Sequence, residues 1–173
     1  LDRDYVEIRP IDKMGRKCVD SNQLFIDGLR IPKEHLVGEE GKGFRYLLHG
    51  LNAERILIAA SMVGLGRAAL WKASKYARDR VVFGRPIGMN QSIQHPLAES
   101  WAELEAANLM AFQAANMYDA GQECGLQANA AKYLAAEAAF KSCTNAVMTH
   151  GGMGYAKEFH VERYMRECLI HRL

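Results

Sequence analysis

The sequence predicts a mainly α protein, in which an antiparallel domain of the four-helix-bundle type follows a short β stub from a truncated β-domain. Three observations predict it. Two short stretches within the first forty residues alternate apolar and polar side chains, whereas apolar residues from Phe44 onward recur at i, i+3 and i+4. Clusters of glycine and proline then divide the helical part into three long segments and a short one. We therefore expect residues 1–40 to end a β-domain and residues 41–173 to form a helical bundle that is truncated at its end.

The β segment is predicted from two short alternating stretches, Tyr5 to Ile8 and Leu24 to Asp27, with Gly15 in the polar turn between them. We expect two or three strands here. So small a sheet is not stable alone, so the strands are expected to belong to a larger β-domain that lies mostly upstream.

The first and longest helix is expected to run from Phe44 to about Val82, where Gly84 and Pro86 break it. Its length is unusual for a globular helix. Its predicted apolar stripe consists of Phe44, Leu47, Leu48, Leu51, Ile58, Met62, Leu65 and Ala69.

Three further helices follow, joined by short loops. The second is expected to begin near Ser92 as N-cap, with Pro96 in its first turn, and to end at Gly121. The third runs from about Leu126 to Thr149, and the fourth starts near Phe159. The second helix is expected to bury Leu97, Trp101, Leu104, Phe112, Ala115 and Tyr118. The third is expected to pack closely through Ala128, Ala131, Ala135, Ala138, Ala139 and Ala146.

Composition excludes several classes of protein. A net charge of +2 with scattered basic residues does not favour nucleic acid as a partner. No apolar run approaches the roughly 20 residues of a membrane span, so we expect none. The four cysteines form no Cys-x-x-Cys pair and the six histidines are dispersed, so we expect free, mostly buried thiols and no metal site.

Glu54 is the first candidate for chemistry, because three- and four-residue steps relate it to Leu51 and Ile58 on the predicted apolar stripe. A buried carboxylate has a raised pKa and can take a proton from carbon at neutral pH. Arg55 lies beside it and Asn52 one turn before Arg55. Alternatively, Glu54 forms a structural ion pair with a basic residue of a neighbouring helix.

Two further segments could bind a phosphate. In residues 80–87, Arg80 and Arg85 flank Phe83 and Gly84 where the first helix gives way to a loop, and arginine suits phosphates. The alternative is a basic helix end that interacts with the helix dipole. Residues 150–155 place three glycines in four positions, which exposes backbone amides; the alternative there is a simple helix stop.

Taken in order, these motifs resemble the acyl-CoA dehydrogenase family. The motifs are Glu-Arg at 54–55, Arg-x-x-Phe-Gly-x-x-Ile at 80–87, Gln-x-Ile-Gln at 91–94 and Gly-Gly-Met-Gly-Tyr at 151–155. Residues 25–44 are similar to the family's join between its middle β-domain and its C-terminal helical domain. The resemblance implies FAD-dependent α,β-dehydrogenation of an acyl-CoA, in which a glutamate removes the α-proton and a hydride leaves for flavin N5. It implies electron-transfer flavoprotein as the acceptor.

The resemblance also assigns residues. It implies a homodimer or homotetramer in which Arg80, Phe83 and Gln91 meet the FAD of a neighbouring subunit, while Gly151 and Gly152 cover its ADP portion. Asn52 and Arg55 match positions that contact acyl-CoA, and Leu51 matches one that lines the acyl pocket. Met148 departs from the glutamine that many relatives have there. The resemblance implies a cytoplasmic protein if the source is bacterial and a protein of the mitochondrial matrix if it is eukaryotic.

The catalytic base has two candidates within the family pattern. In most members it is a glutamate C-terminal to Leu173, and in a minority, of the isovaleryl-CoA type, it matches Glu54. We favour Glu54, for its predicted place on the buried stripe. The alternative activity is that of an oxidase or flavin monooxygenase on the same fold. The alternative to an enzyme is a non-catalytic helical scaffold that has lost its active site.

Overall fold

The computed structural model describes residues 3–173, apart from the side chain of residue 49. By its internal contacts the chain divides into two compact units, a first that ends at His49 and a second, Gly50–Leu173. The division falls inside the first long helix. The predicted boundary between residues 40 and 41 remains a prediction.

The first unit contains a β-hairpin. Strand β1 (Val6–Pro10) pairs antiparallel with β2 (Asn22–Ile26), in a register that runs from Val6 opposite Ile26 to Pro10 opposite Asn22. Within these two strands only Val6 is buried. An isolated hairpin of this kind is at best marginally stable in water.

Four α-helices make up most of the chain, which confirms the predicted mainly α fold. They are α1 (Gly43–Asp79), α2 (Gln91–Asp119), α3 (Gly125–His150) and α4 (Val161–Leu169). Between α1 and α2 lies a small hairpin of β3 (Val81–Val82) and β4 (Arg85–Pro86). Short 3-10 turns cover Arg3–Tyr5, Lys33–His35, Ile87–Met89, Gly151–Tyr155, Lys157–Phe159 and Ile170–Arg172.

Neighbouring helices of the second unit run antiparallel. Arg67 of α1 binds Glu105 of α2 at 2.6 Å, and Lys141 of α3 binds Glu103 of α2 at 2.7 Å. Arg172, which follows α4, binds Glu137 of α3 at 2.7 Å. This order gives the up-down-up-down bundle that short loops favour.

Small residues bring the helices close together. All six alanines predicted to pack on α3 are buried, which confirms that part of the prediction. Gly66 of α1 meets α2 and α3: a Cβ there would lie 2.5 Å from Leu104 Cδ2 and 3.2 Å from Ala139 Cα. The Ser142 hydroxyl donates to the Gly66 carbonyl at 2.9 Å, which ties α3 to α1 at the same point.

The predicted buried stripe of α2 is partly wrong. Leu104 is buried, but Trp101, Phe112 and Tyr118 are 58%, 62% and 42% exposed. The face that packs against the bundle consists of Ser100, Leu104, Ala107, Ala111 and Ala114. Close helix contact selects small side chains, so the large apolar residues lie on another face.

The predicted helix ends also shift. Helix α1 stops at Asp79 because residues 81–82 pair with β4 instead. Asn90, not Ser92, is the N-cap of α2, because the 3-10 turn Ile87–Met89 leads directly into the helix. Pro96 therefore lies in the second turn of α2 rather than the first.

The cysteines are in the state that the sequence predicts. Among the described residues all four cysteines are free, and all but Cys18 are buried, which confirms the prediction of free, mostly buried thiols.

Among the helices that the structure describes, α1 is the one whose length and apolar composition would allow it to cross a membrane. That property is shared by core helices, and Ala59, Met62 and Ala73 of α1 are buried in the bundle.

Candidate functional site

Glu54 is exposed, which corrects the expectation that it lies on a buried stripe. The buried face of α1 runs through Ala59, Met62, Ala69 and Ala73. At about 100° per residue, Glu54 points more than about 90° away from the centre of that face. Of the apolar residues before Ala59 that suggested a stripe through Glu54, Ile58 packs against the core, but those up to Leu51 are only half-buried or exposed.

The predicted substrate residues surround Glu54 on the first exposed turns of the second unit. Leu51, Asn52 and Arg55 are half-buried, and Arg55 Nη1 donates to Asn52 Oδ1 at 3.2 Å. A Cβ on Gly125 would lie 3.8 Å from Asn52 Nδ2, so this turn of α1 lies beside the start of α3. We call residues 51–55 the front end of α1.

Arg80 and Phe83 lie on the β3–β4 hairpin that follows α1. The two residues at its tip, Phe83 and Gly84, have φ of +52° and +78°, as in the type I′ turns of two-residue hairpins. The Ile87 N–H extends the pairing by donating to the Arg80 carbonyl at 2.9 Å. The Phe83 side chain is fully exposed, in a backbone conformation that is strained for any residue with a Cβ.

The two arginines of the hairpin differ. Arg85 donates to Asn90 Oδ1 at 2.7 Å, and Asn90 Nδ2 donates to the Ile87 carbonyl at 2.9 Å. Arg85 therefore holds the turn that leads into α2. Arg80 has no side-chain hydrogen bond or ion pair among the described residues, and Gln91, the first residue of α2, is exposed.

The three glycines after α3 are under different structural constraints. Gly151 has φ of +59°, which a side chain rarely adopts, and a Cβ on Gly154 would lie 2.2 Å from the Val147 carbonyl oxygen. Gly152 has open space around its α-carbon and an ordinary φ. The fold of the described chain therefore requires glycine at Gly151 and Gly154. It does not require glycine at Gly152, where the close approach of a ligand could explain it.

A ring stack brings this glycine turn to the hairpin end of α1. His150, which precedes Gly151, stacks on Tyr76 with ring centroids 4.2 Å apart, and Phe159 meets both rings edge-on. The Arg80 N–H donates to the Tyr76 carbonyl at 2.8 Å, so Arg80 lies one helical turn beyond the stack. Residues 80–91 and 150–152 thus share one end of the bundle, which we call the back end. The sequence reasoning did not find Tyr76 or the packing role of His150.

Burial determines the charge of His150. It is 5% exposed, its Nδ1 bonds the Ala146 carbonyl at 2.7 Å, and burial lowers the pKa of the imidazole. The positive charge of Lys72 lowers this pKa further, while the bond to Ala146 opposes the shift. The ring is therefore held neutral, with Nδ1 protonated because a carbonyl only accepts.

The two ends of α1 are far apart within one chain. Glu54 and Arg80 are separated by 26 residues, and at about 1.5 Å per residue this corresponds to about 39 Å along the helix axis. Side chains so far apart cannot contact the same reacting group. If both sets of predicted residues serve one site, the two sets must come from different copies of the chain.

Two further observations limit the chemistry. Met148, near the glycine turn, is 72% exposed, so this side chain lies on the surface of the described chain. No group of three or more His, Cys, Asp or Glu among residues 3–173 is arranged to hold a metal ion.

Most of the chain matches a known family. Residues 41–173 match the family described as acyl-CoA dehydrogenase, C-terminal domain. The chain belongs to the acyl-CoA dehydrogenase family. The resemblance seen in the ordered motifs is thereby confirmed, and the bundle is the C-terminal helical domain of this family.

Individual acyl-CoA dehydrogenases and related structures agree. The chain is 39% identical over 161 residues to an acyl-CoA dehydrogenase of Bacillus subtilis strain 168, covering 93% of this chain and 42% of that protein. It superposes on butyryl-CoA dehydrogenase from Megasphaera elsdenii with a TM-score of 0.91 at 35% identity, covering 96% and 44% of the two chains. A chain in a structure described as the electron-transferring flavoprotein of Acidaminococcus fermentans gives 0.92 at 34%, covering 97% and 44%.

The chain spans about two-fifths of the length of the B. subtilis acyl-CoA dehydrogenase. The matches therefore establish the family and the fold of the helical domain.

Proposed function

We propose that the full-length protein is an FAD-dependent acyl-CoA dehydrogenase, which forms a double bond between the α and β carbons of an acyl-CoA thioester. One observation supports this most. In a chain of this family, the residues that match substrate positions are half-buried at the front end of α1, and those that match cofactor positions are exposed at the back end. The back-end group, Arg80, Phe83, Gln91 and Gly152, is not explained by packing within the bundle.

The back end has the chemistry to hold FAD. The Arg80 guanidinium is available for a pyrophosphate, and arginine donates to phosphate oxygens in a fixed fork. Phe83 presents a fully exposed ring, and Gly152 lets a ligand approach the backbone. Gln91 supplies an amide at the start of α2. FAD, when bound, supplies the hydride acceptor of the reaction.

The front end has the chemistry to hold and deprotonate the acyl-CoA. We assign Asn52 and Arg55 to binding the substrate, Leu51 to the acyl pocket, and Glu54 to accepting the α-proton on its carboxylate. Glu54 is open to solvent on the described chain, so its basicity has to arise when substrate and the rest of the protein cover this face and exclude water. The competing assignment is a glutamate C-terminal to Leu173.

The separation of the two ends implies that each site is shared. We propose that the front end of one subunit and the back end of its neighbour meet around one FAD, in a homodimer or homotetramer. The distance of about 39 Å along α1 supports this, because a helix cannot fold its own two ends together.

The proposed electron acceptor is an electron-transfer flavoprotein, as suggested by the match to a chain in the Acidaminococcus fermentans structure. An oxidase or monooxygenase on the same fold would pass electrons to oxygen instead. The two are distinguished by reducing the full-length protein anaerobically with acyl-CoA and then admitting air. Slow reoxidation is expected of the dehydrogenase, and rapid reoxidation would favour the oxidase.

The central experiment is Glu54→Gln in the full-length protein, with Glu34→Gln, an exposed glutamate of the first unit, as the matched control. We expect Glu54→Gln to keep its FAD and to slow bleaching of the flavin band by acyl-CoA about 10²- to 10⁴-fold, the usual range for loss of a general base. The control should bleach normally. Normal bleaching by Glu54→Gln would transfer the role to the glutamate beyond Leu173, and a full-length protein that binds no FAD would favour the scaffold.

A further inference from the structure

Pro96 interrupts the hydrogen bonds of α2 close to Gln91. Because proline has no N–H, the carbonyl four residues earlier, that of Ser92, loses its usual helical donor. The first turn of α2, which carries Gln91, is therefore held less firmly by the helix itself. Something outside that turn has to fix its position if Gln91 is to meet a ligand reproducibly.

Asn145 of α3 binds α2 at this interruption. Its Nδ2 donates to the Ser100 hydroxyl at 2.9 Å and to the Pro96 carbonyl at 3.2 Å. The Ser100 hydroxyl in turn donates to the Pro96 carbonyl at 2.8 Å, and Ser100 is fully buried. A carbonyl only accepts, so the amide nitrogen and not the amide oxygen faces Pro96. Both amide hydrogens of Asn145 have partners on α2.

The same residue is linked to the glycine turn. The Thr149 hydroxyl donates to the Asn145 carbonyl at 2.7 Å, and Thr149 is only 6% exposed. In the same helical turn His150 bonds the Ala146 carbonyl, and Gly151 follows directly. Asn145 therefore lies in the last rigid part of α3 before Gly151 and Gly152.

We infer that Asn145 is a positioning residue, which fixes the turn that carries Gln91 relative to the turn that carries Gly152, so that both reach the same FAD. This role rests on the proposed function. Asn145 is half-buried, bonds α2 through its side chain, and is not among the residues assigned to substrate or FAD. It acts through Gln91 and Gly152.

The test uses the full-length protein with Asn145→Ala and Asn145→Asp. Asn129→Ala is the matched control, because Asn129 donates from the same helix to the Gly125 carbonyl at 2.7 Å, at the opposite end of α3. We expect Asn145→Ala to raise the FAD dissociation constant about fivefold, the equivalent of one neutral hydrogen bond. Asn145→Asp should raise it further, because a carboxylate cannot donate and repels the Pro96 carbonyl. The control should leave it unchanged.

A double-mutant cycle with Gln91→Ala separates positioning from general stabilisation. If Asn145 acts through Gln91, then Asn145→Ala has little further effect on FAD binding in a Gln91→Ala background. Fully additive losses, or an unchanged dissociation constant in Asn145→Ala, would overturn the inference.

Hydrogen exchange on the FAD-free protein makes the result independent of the proposed function. We expect Asn145→Ala to speed amide exchange in residues 91–95 and 149–152 but not at the start of α3. Unchanged exchange in both segments would refute the inference even if the enzyme binds FAD. If Asn145→Ala exchanges faster in both segments but the wild-type protein binds no FAD, the proposed function is refuted. The link between the two turns would then still be established.

Discussion

The two ends of α1 differ in how far the bundle itself uses their side chains. At the front end, Asn52 and Arg55 are half-buried and bonded to each other, and Asn52 lies beside Gly125. At the back end, Phe83 is fully exposed with φ of +52°, and Arg80 has no side-chain partner among the described residues. The front end is thus partly explained by folding, and the back end is not.

This difference teaches where function can be inferred from structure. A strained backbone and an exposed aromatic ring lower stability unless something outside the fold uses them, so they point to a ligand or a partner. Half-buried polar pairs such as Asn52 and Arg55 stabilise the fold as well, so substitutions there mix two effects. The back end therefore offers the cleaner tests.

The largest expected effect tests whether the two ends serve one site across subunits. Glu54→Gln and Arg80→Ala are each expected to be inactive alone. When the two variants are mixed in equal amounts and allowed to exchange subunits, random pairing makes half of the dimers mixed. Each mixed dimer has one intact shared site out of two, so we expect about a quarter of the wild-type activity. Steady-state activity of the mixture against each parent measures it.

The matched control is a mixture of Glu54→Gln with a second front-end variant, Arg55→Ala. Both changes then affect the same end, so each mixed dimer has one defect in each site and activity stays low. No recovery in the test mixture, despite proven subunit exchange, would mean that each site lies within one chain. Recovery in the control mixture would mean that Glu54 and Arg55 do not serve the same site.

Gly152 and Gly154, two of the three glycines that follow α3, should separate folding from binding. Gly154→Ala places a methyl group 2.2 Å from the Val147 carbonyl oxygen, so we expect a loss of about 3 kcal/mol in the free energy of unfolding. Gly152→Ala meets open space, so we expect a change within about 0.5 kcal/mol, together with weaker FAD binding. Denaturant unfolding and FAD titration of both variants measure this. Equal destabilisation by the two changes would contradict the distinction.

The sequence predicted the helices well, for physical reasons that are local. Helical periodicity, the alanines of α3 and the glycine stops are all properties of neighbouring residues. The order of the motifs along the chain is likewise a property of the sequence that does not depend on packing, and it indicated the family. Local patterns thus predicted the bundle, the hairpin of the first unit and the buried cysteines.

The faces of the helices were harder to predict. Trp101 and Phe112 are large and apolar, but α2 packs through alanines, because close helix approach depends on side chains of the partner helix that a single segment does not reveal. Glu54 was placed on a buried stripe for the same reason. The bond from Asn145 to Pro96 joins residues 49 positions apart, so no local pattern could predict it.

His150 gives the stability of the back end a pH dependence. Burial lowers the pKa of this imidazole below its ordinary value of 6.5, and the charge of Lys72 acts in the same direction. The unfolded chain therefore binds a proton more readily than the folded chain, so the stability that His150 contributes is present above about pH 6.5 and is lost as the pH falls through the lowered pKa.

The smallest predicted effect follows from that sign. His150→Phe keeps a ring for Tyr76 and Phe159 to pack against but has no proton to bind, so its free energy of unfolding should fall less steeply than that of the wild type between about pH 7 and pH 5. His35→Ala, which removes an exposed histidine of the first unit, should keep the wild-type slope. Denaturant unfolding at several pH values measures all three slopes. A wild-type slope in His150→Phe would mean that groups other than His150 cause the loss of stability in acid.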